Sequence, residues 1–143
     1  MKILIQILVI FSFSSLLAQE PIKWTAEFLH SEKTLVFKAE IERDWHVYSQ
    51  FIDPQVGPVP TSFSFVEQAQ YKLIGKVEEP SPIIAFDQSF EAEVAYFEKR
   101  VQFDQKIEVL KPTTVNVNVT YMLCNNQTCL PPTDTLLSIH IYP

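Results

Sequence analysis

Two cysteines, Cys124 and Cys129, are the residues of this chain best suited to chemistry, and four residues separate them in Y-M-L-C-N-N-Q-T-C-L-P-P. The spacing differs from the C-x-x-C of a thioredoxin-like active site and from the long-range disulfide between the sheets of an antibody domain. A zinc site would need two more ligands, and the three histidines are scattered, so we interpret His46 and His140 as surface or strand-edge residues. The pair is therefore either a structural disulfide or a site of thiol–disulfide exchange, and we expect no metal ion and no cofactor.

A disulfide between these cysteines would contribute little to stability, because the chain-entropy model gives about 2 kcal/mol for a closed loop of about six residues. The alternation of the preceding residues gives a second argument. If every second side chain from Val115 to Leu123 faces the core, Cys124 falls on the opposite, polar face. We therefore expect the disulfide at a strand edge within reach of solvent, because exchange requires access to a sulfur.

The residues around the cysteines predict a stiff hairpin without a charged neighbour. Asn-Asn-Gln-Thr, at 125–128, is a short polar segment typical of a hairpin tip. Pro131 and Pro132 stiffen the start of the last strand. No lysine, arginine or histidine lies within five residues of either cysteine, so the local sequence offers no positive charge to stabilise a thiolate.

Much of the chain after residue 20 alternates apolar and polar side chains with a period of two, which predicts half-buried β-strands. The alternating segments are 35–41, 62–65, 101–104, 114–123 and 137–141, with weaker candidates at 24–28 and 46–51. Prolines separate the segments, at positions 54, 58, 60, 80, 82, 131 and 132. Because no segment has a capped helical pattern, the sequence predicts a single all-β domain, an antiparallel β-sandwich.

One long connection, from Val77 to Ala92, shows no clean alternation and yet carries apolar residues. These are Ile83, Ile84, Phe86 and Phe90. A long loop with apolar residues either packs down as a satellite cluster or covers something functional. The pattern alone leaves both interpretations open.

The N-terminus predicts export. Lys2 precedes an apolar run over 3–17, and Ala18 follows with polar residues behind it, which is the order of a secretory signal peptide. The run is short for a membrane-spanning helix, which needs about 20 apolar residues, although an uncleaved anchor stays the alternative. We expect a signal peptide at 1–18 and a domain at 19–143, with no lipid anchor because no cysteine follows the run. The formal net charge of −6 argues against nucleic acid and anionic lipid as partners.

The cysteine stretch resembles the cysteine hairpin of the N-terminal periplasmic domain of the bacterial disulfide reductase DsbD. Upstream, D-W-H-V-Y-S-Q at 44–50 and G-P-V-P-T-S-F-S-F at 57–65 resemble early strands of the same domain, in the same order. The resemblance covers most of the chain, from 24 to 141. The familiar enterobacterial version differs in having one more residue between its cysteines.

This resemblance implies an immunoglobulin-like β-sandwich in the periplasm that reduces exported thiol proteins. The electrons would come from a membrane-embedded donor or a thioredoxin-like protein, and we expect both to be separate polypeptides because this chain resembles a stand-alone domain. Carried over by position, Cys129 would form the mixed disulfide and Cys124 would resolve it. In that family a mobile cap loop with an aromatic residue shields the pair. The irregular segment matches it in place, with Phe90 as the expected aromatic and Phe86 and Asp87 as further cap residues.

Three functions therefore stay open. The first is a thiol–disulfide exchange module, a component of a protein-disulfide reductase. The second is a non-catalytic sandwich that binds a protein or a glycan and is held by a structural disulfide. The third is a copper or zinc carrier that uses both cysteines and a histidine, although a methionine count of 2 argues against copper(I). Resistance of the disulfide to a thioredoxin-like reductant would distinguish the second function from the first.

Overall fold

The computed structural model describes residues 20–142, and these form eleven β-strands. In chain order they are β1 (Ile22–Leu29), β2 (Thr34–Ile41), β3 (His46–Tyr48), β4 (Ser62–Phe65), β5 (Tyr71–Glu78), β6 (Ile83–Asp87), β7 (Ala92–Glu98), β8 (Arg100–Val109), β9 (Thr113–Tyr121), β10 (Leu123–Cys124) and β11 (Thr133–Ile141). They form three sheets with the orders β1-β2-β8-β5, β10-β3-β7-β6 and β11-β9-β4, and every pairing is antiparallel. None of these residues forms a helix long and apolar enough to cross a membrane.

The core lies between the first sheet and the other two. Period-two alternation places Val115, Val117 and Val119 of β9 inside, each with no exposed surface. Aromatic rings join the sheets across this core: Phe63 of β4 lies with its ring centroid 5.1 Å from that of Phe103 in β8. Such pairs contribute about 0.5–1.5 kcal/mol beyond the burial of their area. The predicted all-β antiparallel sandwich is confirmed.

The segment 77–92 is not the irregular loop that the sequence predicted. β5 continues to Glu78, and after Pro80 and Pro82 the chain forms β6, which turns back at once to pair with β7. β6 is the edge strand of the second sheet and is largely exposed on both faces. A strand exposed on both faces needs no apolar–polar alternation, which is why the pattern did not reveal it. The weaker candidate at 46–51 is a strand only over His46–Tyr48.

Between β9 and β10 the chain passes from the third sheet to the second, and this crossing positions the cysteines. β9 pairs with β11 and β4 in the third sheet, but β10, which begins after Met122, pairs with β3 in the second sheet. Cys124 therefore ends a strand at one edge of the second sheet, on the same sheet as the β6–β7 hairpin. The predicted signal peptide at 1–18 lies outside the described residues and stays a prediction.

Candidate functional site

Cys124 and Cys129 form a disulfide across the hairpin that follows β10, with an S–S distance of 2.00 Å and Cα atoms 4.0 Å apart. The two residues face each other as an isolated antiparallel bridge. On one side the Leu130 N–H donates to the Leu123 carbonyl (2.8 Å), and on the other the Asn125 N–H donates to the Thr128 carbonyl (2.9 Å). The cysteines thus occupy a non-hydrogen-bonded position, where opposing side chains lie closest.

The side chain of Asn125 closes the tip of this hairpin. The Asn125 side-chain oxygen accepts hydrogen bonds from the backbone N–H of Gln127 (2.8 Å) and of Thr128 (2.9 Å). Asparagine commonly stabilises turns in this way, because its side chain mimics a backbone acceptor. The predicted hairpin tip is confirmed, and its hydrogen bonds help to hold Cys129 in register with Cys124.

The prediction of a solvent-exposed disulfide is wrong for Cys124, which is 1% exposed. The alternation argument identified the correct face: Leu123 belongs to the main core, whereas Cys124 lies in a second, smaller cluster with buried Tyr48 and Val94. Other side chains cover the face of the sheet on which Cys124 lies, and the alternation of apolar and polar residues cannot predict such a cover. Cys129 is only partly buried, so the two sulfurs differ in their access to solvent.

Phe90 forms part of this cover. It lies in the turn between β6 and β7, is partly buried and packs against the cluster of Tyr48, Val94 and Cys124, which we call the cysteine cluster. Its ring meets that of Tyr48 edge-on, with centroids 6.1 Å apart. Phe86, by contrast, is 63% exposed and lies earlier in the hairpin, on β6.

Asp87 connects the turn that carries Phe90 to the cysteine cluster. One carboxylate oxygen accepts a hydrogen bond from the backbone N–H of Ser89 (2.7 Å), inside the turn. The other oxygen accepts from the hydroxyl of Tyr48 (3.2 Å), which is itself fully buried. The three residues expected in the cap therefore have different positions: Phe90 packs over the cluster, Asp87 holds the turn, and Phe86 faces solvent.

A polar row beside the disulfide is not evident from the sequence. His46 of β3 pairs directly with Cys124 of β10, so the two side chains share a face of the sheet. The His46 Nε2 lies 3.1 Å from the Tyr48 hydroxyl. Burial lowers the pKa of His46, although Asp87 and Glu98 oppose this, and the imidazole is therefore neutral at neutral pH. Burial, with the nearby Asp87, raises the pKa of Tyr48, so neither group places a charge beside Cys124.

An open groove of about 390 Å³ runs past the hairpin tip. Its lining includes the carboxylates of Asp44, Asp87 and Glu98 together with the side chain of Asn126. Within residues 20–142, no three His, Cys, Asp or Glu side chains are grouped closely enough to hold a metal ion. The groove is therefore an acidic surface beside the tip of the cysteine hairpin, from which Asn125 and Asn126 contribute to its lining.

Reduction of the disulfide should lower the stability of the fold without unfolding it. The closed loop has about six residues, so its loss should lower the free energy of unfolding by about 2 kcal/mol. Urea unfolding of the oxidised protein, with and without excess reductant, measures this difference. The double variant Cys124→Ala/Cys129→Ala is the control, because reductant should not change its midpoint. A reduced protein that no longer unfolds cooperatively would show that the disulfide holds the sandwich together.

Comparisons with known proteins agree with this geometry. The family model described as "Thiol:disulfide interchange protein DsbD, N-terminal" matches residues 14–140. No curated protein sequence matches the chain. The crystal structure of the DsbD N-terminal domain of Neisseria meningitidis in its reduced form is similar, with a TM-score of 0.60 and 13% identity, over 84% of this chain and 86% of that one.

Two further solved structures show the same fold. One is the complex between the DsbD N-terminal and PilB N-terminal domains of Neisseria meningitidis, with a TM-score of 0.62 and 11% identity, over 87% of each chain. The other is the N-terminal periplasmic domain of ScsB from Proteus mirabilis, with a TM-score of 0.54 and 15% identity, over 82% of this chain and 44% of that one. The predicted immunoglobulin-like sandwich of the DsbD N-terminal domain is thereby confirmed as the fold.

Proposed function

This chain belongs to the family of DsbD N-terminal domains, which takes part in thiol:disulfide transfer, and we propose that it relays reducing equivalents to exported thiol proteins. The observation that carries the proposal is the asymmetry of the disulfide. Cys124 is buried in the cysteine cluster, Cys129 is partly accessible, and Phe90 from another hairpin packs against the same cluster. Exchange requires one sulfur that a partner can reach and a second that resolves the mixed disulfide, and this asymmetry fits that division of roles.

The proposed cycle begins when a thiolate of a reduced donor attacks the Cys129 sulfur. The Cys124–Cys129 bond breaks, the new bond joins the donor to Cys129, and Cys124 leaves as a thiolate that takes up a proton. The donor's second thiolate then attacks its own bridging sulfur, which releases Cys129 as a thiolate and leaves the donor oxidised. The reduced module passes both electrons to a substrate disulfide by the same steps in reverse, with Cys129 as the attacking sulfur and Cys124 as the resolving one.

The partners are separate proteins in this proposal. The DsbD N-terminal domain of Neisseria meningitidis forms a complex with the N-terminal domain of PilB, which supports a protein as the exchange partner here as well. We expect the donor to be a membrane-embedded protein or a thioredoxin-like protein, and the compartment to be the periplasm, which the protein would reach through a cleavable signal peptide. The groove beside the hairpin tip carries three carboxylates, from Asp44, Asp87 and Glu98, and these favour a partner whose docking surface is basic.

A structural disulfide in a non-catalytic binding protein is the second candidate, and the burial of Cys124 favours it. The two functions differ in the reduction potential of the pair. Exchange proteins of the thioredoxin class lie at about −120 to −270 mV, whereas structural disulfides in secreted proteins lie below about −300 mV.

Equilibration of the purified domain with a thioredoxin-like protein of known potential tests the proposal. We expect a potential for the Cys124–Cys129 couple above about −270 mV and full reduction by an excess of the reduced partner. The two redox forms can be counted by mass spectrometry after alkylation. The variant Cys124→Ala/Cys129→Ala controls for alkylation at other sites. A potential below about −300 mV, or a disulfide that survives excess reduced partner, would contradict the relay and favour the binding protein.

A further inference from the structure

Phe90 rests on a glycine that belongs to a different loop. Gly57 lies in the segment 51–60 between β3 and β4, and a Cβ atom built on it would be 2.1 Å from Cδ1 of Phe90 and 2.9 Å from Cγ. Non-bonded carbon atoms pack at about 3.5–4.0 Å. The ring of Phe90 therefore occupies the space in which any other residue at position 57 would place its side chain.

The backbone at this position has the same requirement. Gly57 has a φ of +147°, which lies in the region that glycine reaches readily and residues with a Cβ rarely adopt. The chain contains two glycines in 143 residues, and this one stands between Val56 and Pro58. Both the path of the loop and the close approach of the ring thus depend on the absence of a side chain.

The loop that carries Gly57 is held against the site by contacts that do not involve Phe90. The Val59 N–H donates to the sulfur of Met122 (3.5 Å), and Met122 packs against the cysteine cluster. The Thr61 hydroxyl donates to the carbonyl of Tyr48 (2.6 Å). These bonds fix the position of the loop beside β3 and β10. Gly57 therefore offers the Phe90 ring a contact surface at a fixed position, which we call the seat.

We propose that Gly57 is a positioning residue for the cover of the disulfide. It forms the seat on which the Phe90 ring closes, and it thereby sets how often the disulfide is open to attack. The cover would then have two halves, the β6–β7 turn that carries the ring and the 51–60 loop that receives it. This inference rests on the proposed role of Phe90 as a cap, and it adds the element that keeps the cap closed.

Gly57→Ala should speed the reduction of the disulfide by dithiothreitol about fivefold or more, the factor by which a loss of about 1 kcal/mol shifts a local opening equilibrium. The matched control is Gly75→Ala in β5. Gly75 also has a positive φ, +72°, but a Cβ there would have no atom within 4 Å. Gly75→Ala also places a Cβ at a positive φ but displaces no ring, so the reduction rate should stay that of the wild type.

The Phe90→Ala background separates this inference from the cap itself. Without the ring, Gly57→Ala should add no further acceleration, because the contact it disrupts is already gone. Two outcomes would overturn the seat and leave the cap in place. In the first, Phe90→Ala speeds reduction of the disulfide and Gly57→Ala does not; in the second, the double variant is accelerated by the product of the two single accelerations. If neither variant changes the rate, the cap itself fails. Should Gly57→Ala alone fail to fold by circular dichroism, the double variant decides. Recovery of the fold supports the role of the ring contact, whereas a double variant that stays unfolded shows that the backbone alone requires the glycine and overturns the seat.

Discussion

Cys124→Ala should accumulate a covalent complex with a thioredoxin-like partner, whereas Cys129→Ala should accumulate about tenfold less. The partner is used as a single-cysteine variant whose thiol is activated as a mixed disulfide with thionitrobenzoate. The thiolate left in the domain attacks the partner's sulfur and releases coloured thionitrobenzoate, so that the rate is read from absorbance and the product from a non-reducing gel. Neither variant has a second thiol with which to resolve the complex, so the product persists.

The expected difference between the variants comes from the burial of the two sulfurs. Cys124 is 1% exposed and shares its cluster with Tyr48 and Val94, whereas Cys129 is only partly buried at the side of the hairpin. Attack on a protein disulfide requires the sulfurs to line up, which a sulfur inside the cluster can do only after the cover has opened. A tenfold difference corresponds to about 1.4 kcal/mol, which is modest for such an opening.

Measurement in urea is the control for this experiment. Once unfolded, the two variants should release thionitrobenzoate at similar rates, because the fold no longer distinguishes their cysteines. Equal trapping by the two folded variants would remove the assignment of roles. Preferential trapping through Cys124 would reverse it and would make Cys129 the resolving cysteine.

The face of the sandwich on which Cys124 lies could be read from the sequence, but its surroundings could not. Val115, Val117 and Val119 are buried because one side of β9 packs on the core, and a period of two carries this face along the chain to Leu123. The burial of Cys124 is different in kind, because its cover comes from Tyr48, Val94 and Phe90, which are distant in sequence. Local patterns identify a face, whereas the cover of that face is a tertiary property.

The same limit applies to the charge around the cysteines. The sequence places no basic residue near either cysteine, and yet the register of β10 against β3 sets His46 opposite Cys124. Strand pairing between residues so far apart cannot be derived from local periodicity. The register therefore brings a titratable side chain beside the pair that the local sequence does not show, and burial lowers the pKa of this histidine.

The role of Gly57, one of two glycines in the chain, could be read from the sequence only in part. In a chain with two glycines and ten prolines, a glycine inside a proline-rich loop is typical of a turn. The sequence does not show that the backbone needs a positive φ at this position, which the structure gives as +147°. It does not indicate that the ring of Phe90 fills the vacant side-chain position, because the two residues lie in different loops that meet only when β3 and β7 pair.

Phe90→Ala should speed the reduction of the disulfide by dithiothreitol about tenfold or more. The ring is partly buried over the cysteine cluster, and its removal leaves part of that cluster open to a reagent that needs no docking surface. We expect the cost in folding stability to lie below the roughly 3–5 kcal/mol of a fully buried phenylalanine, because the residue lies in a turn and keeps some exposure. Quenched-flow alkylation and urea unfolding measure the two quantities separately.

Phe86→Ala is the matched control, since the hairpin carries the same residue type four positions earlier. Phe86 is 63% exposed on β6, so its loss should change neither the rate with dithiothreitol nor the stability appreciably. Reduction by a thioredoxin-like partner should respond less to Phe90→Ala than reduction by dithiothreitol does, because a docked protein can displace the turn by its own contacts whereas a small thiol must wait for the turn to open. A rate that rises with Phe86→Ala and not with Phe90→Ala would move the cap to β6, and unchanged rates in both variants would mean that the burial of Cys124 does not depend on this hairpin.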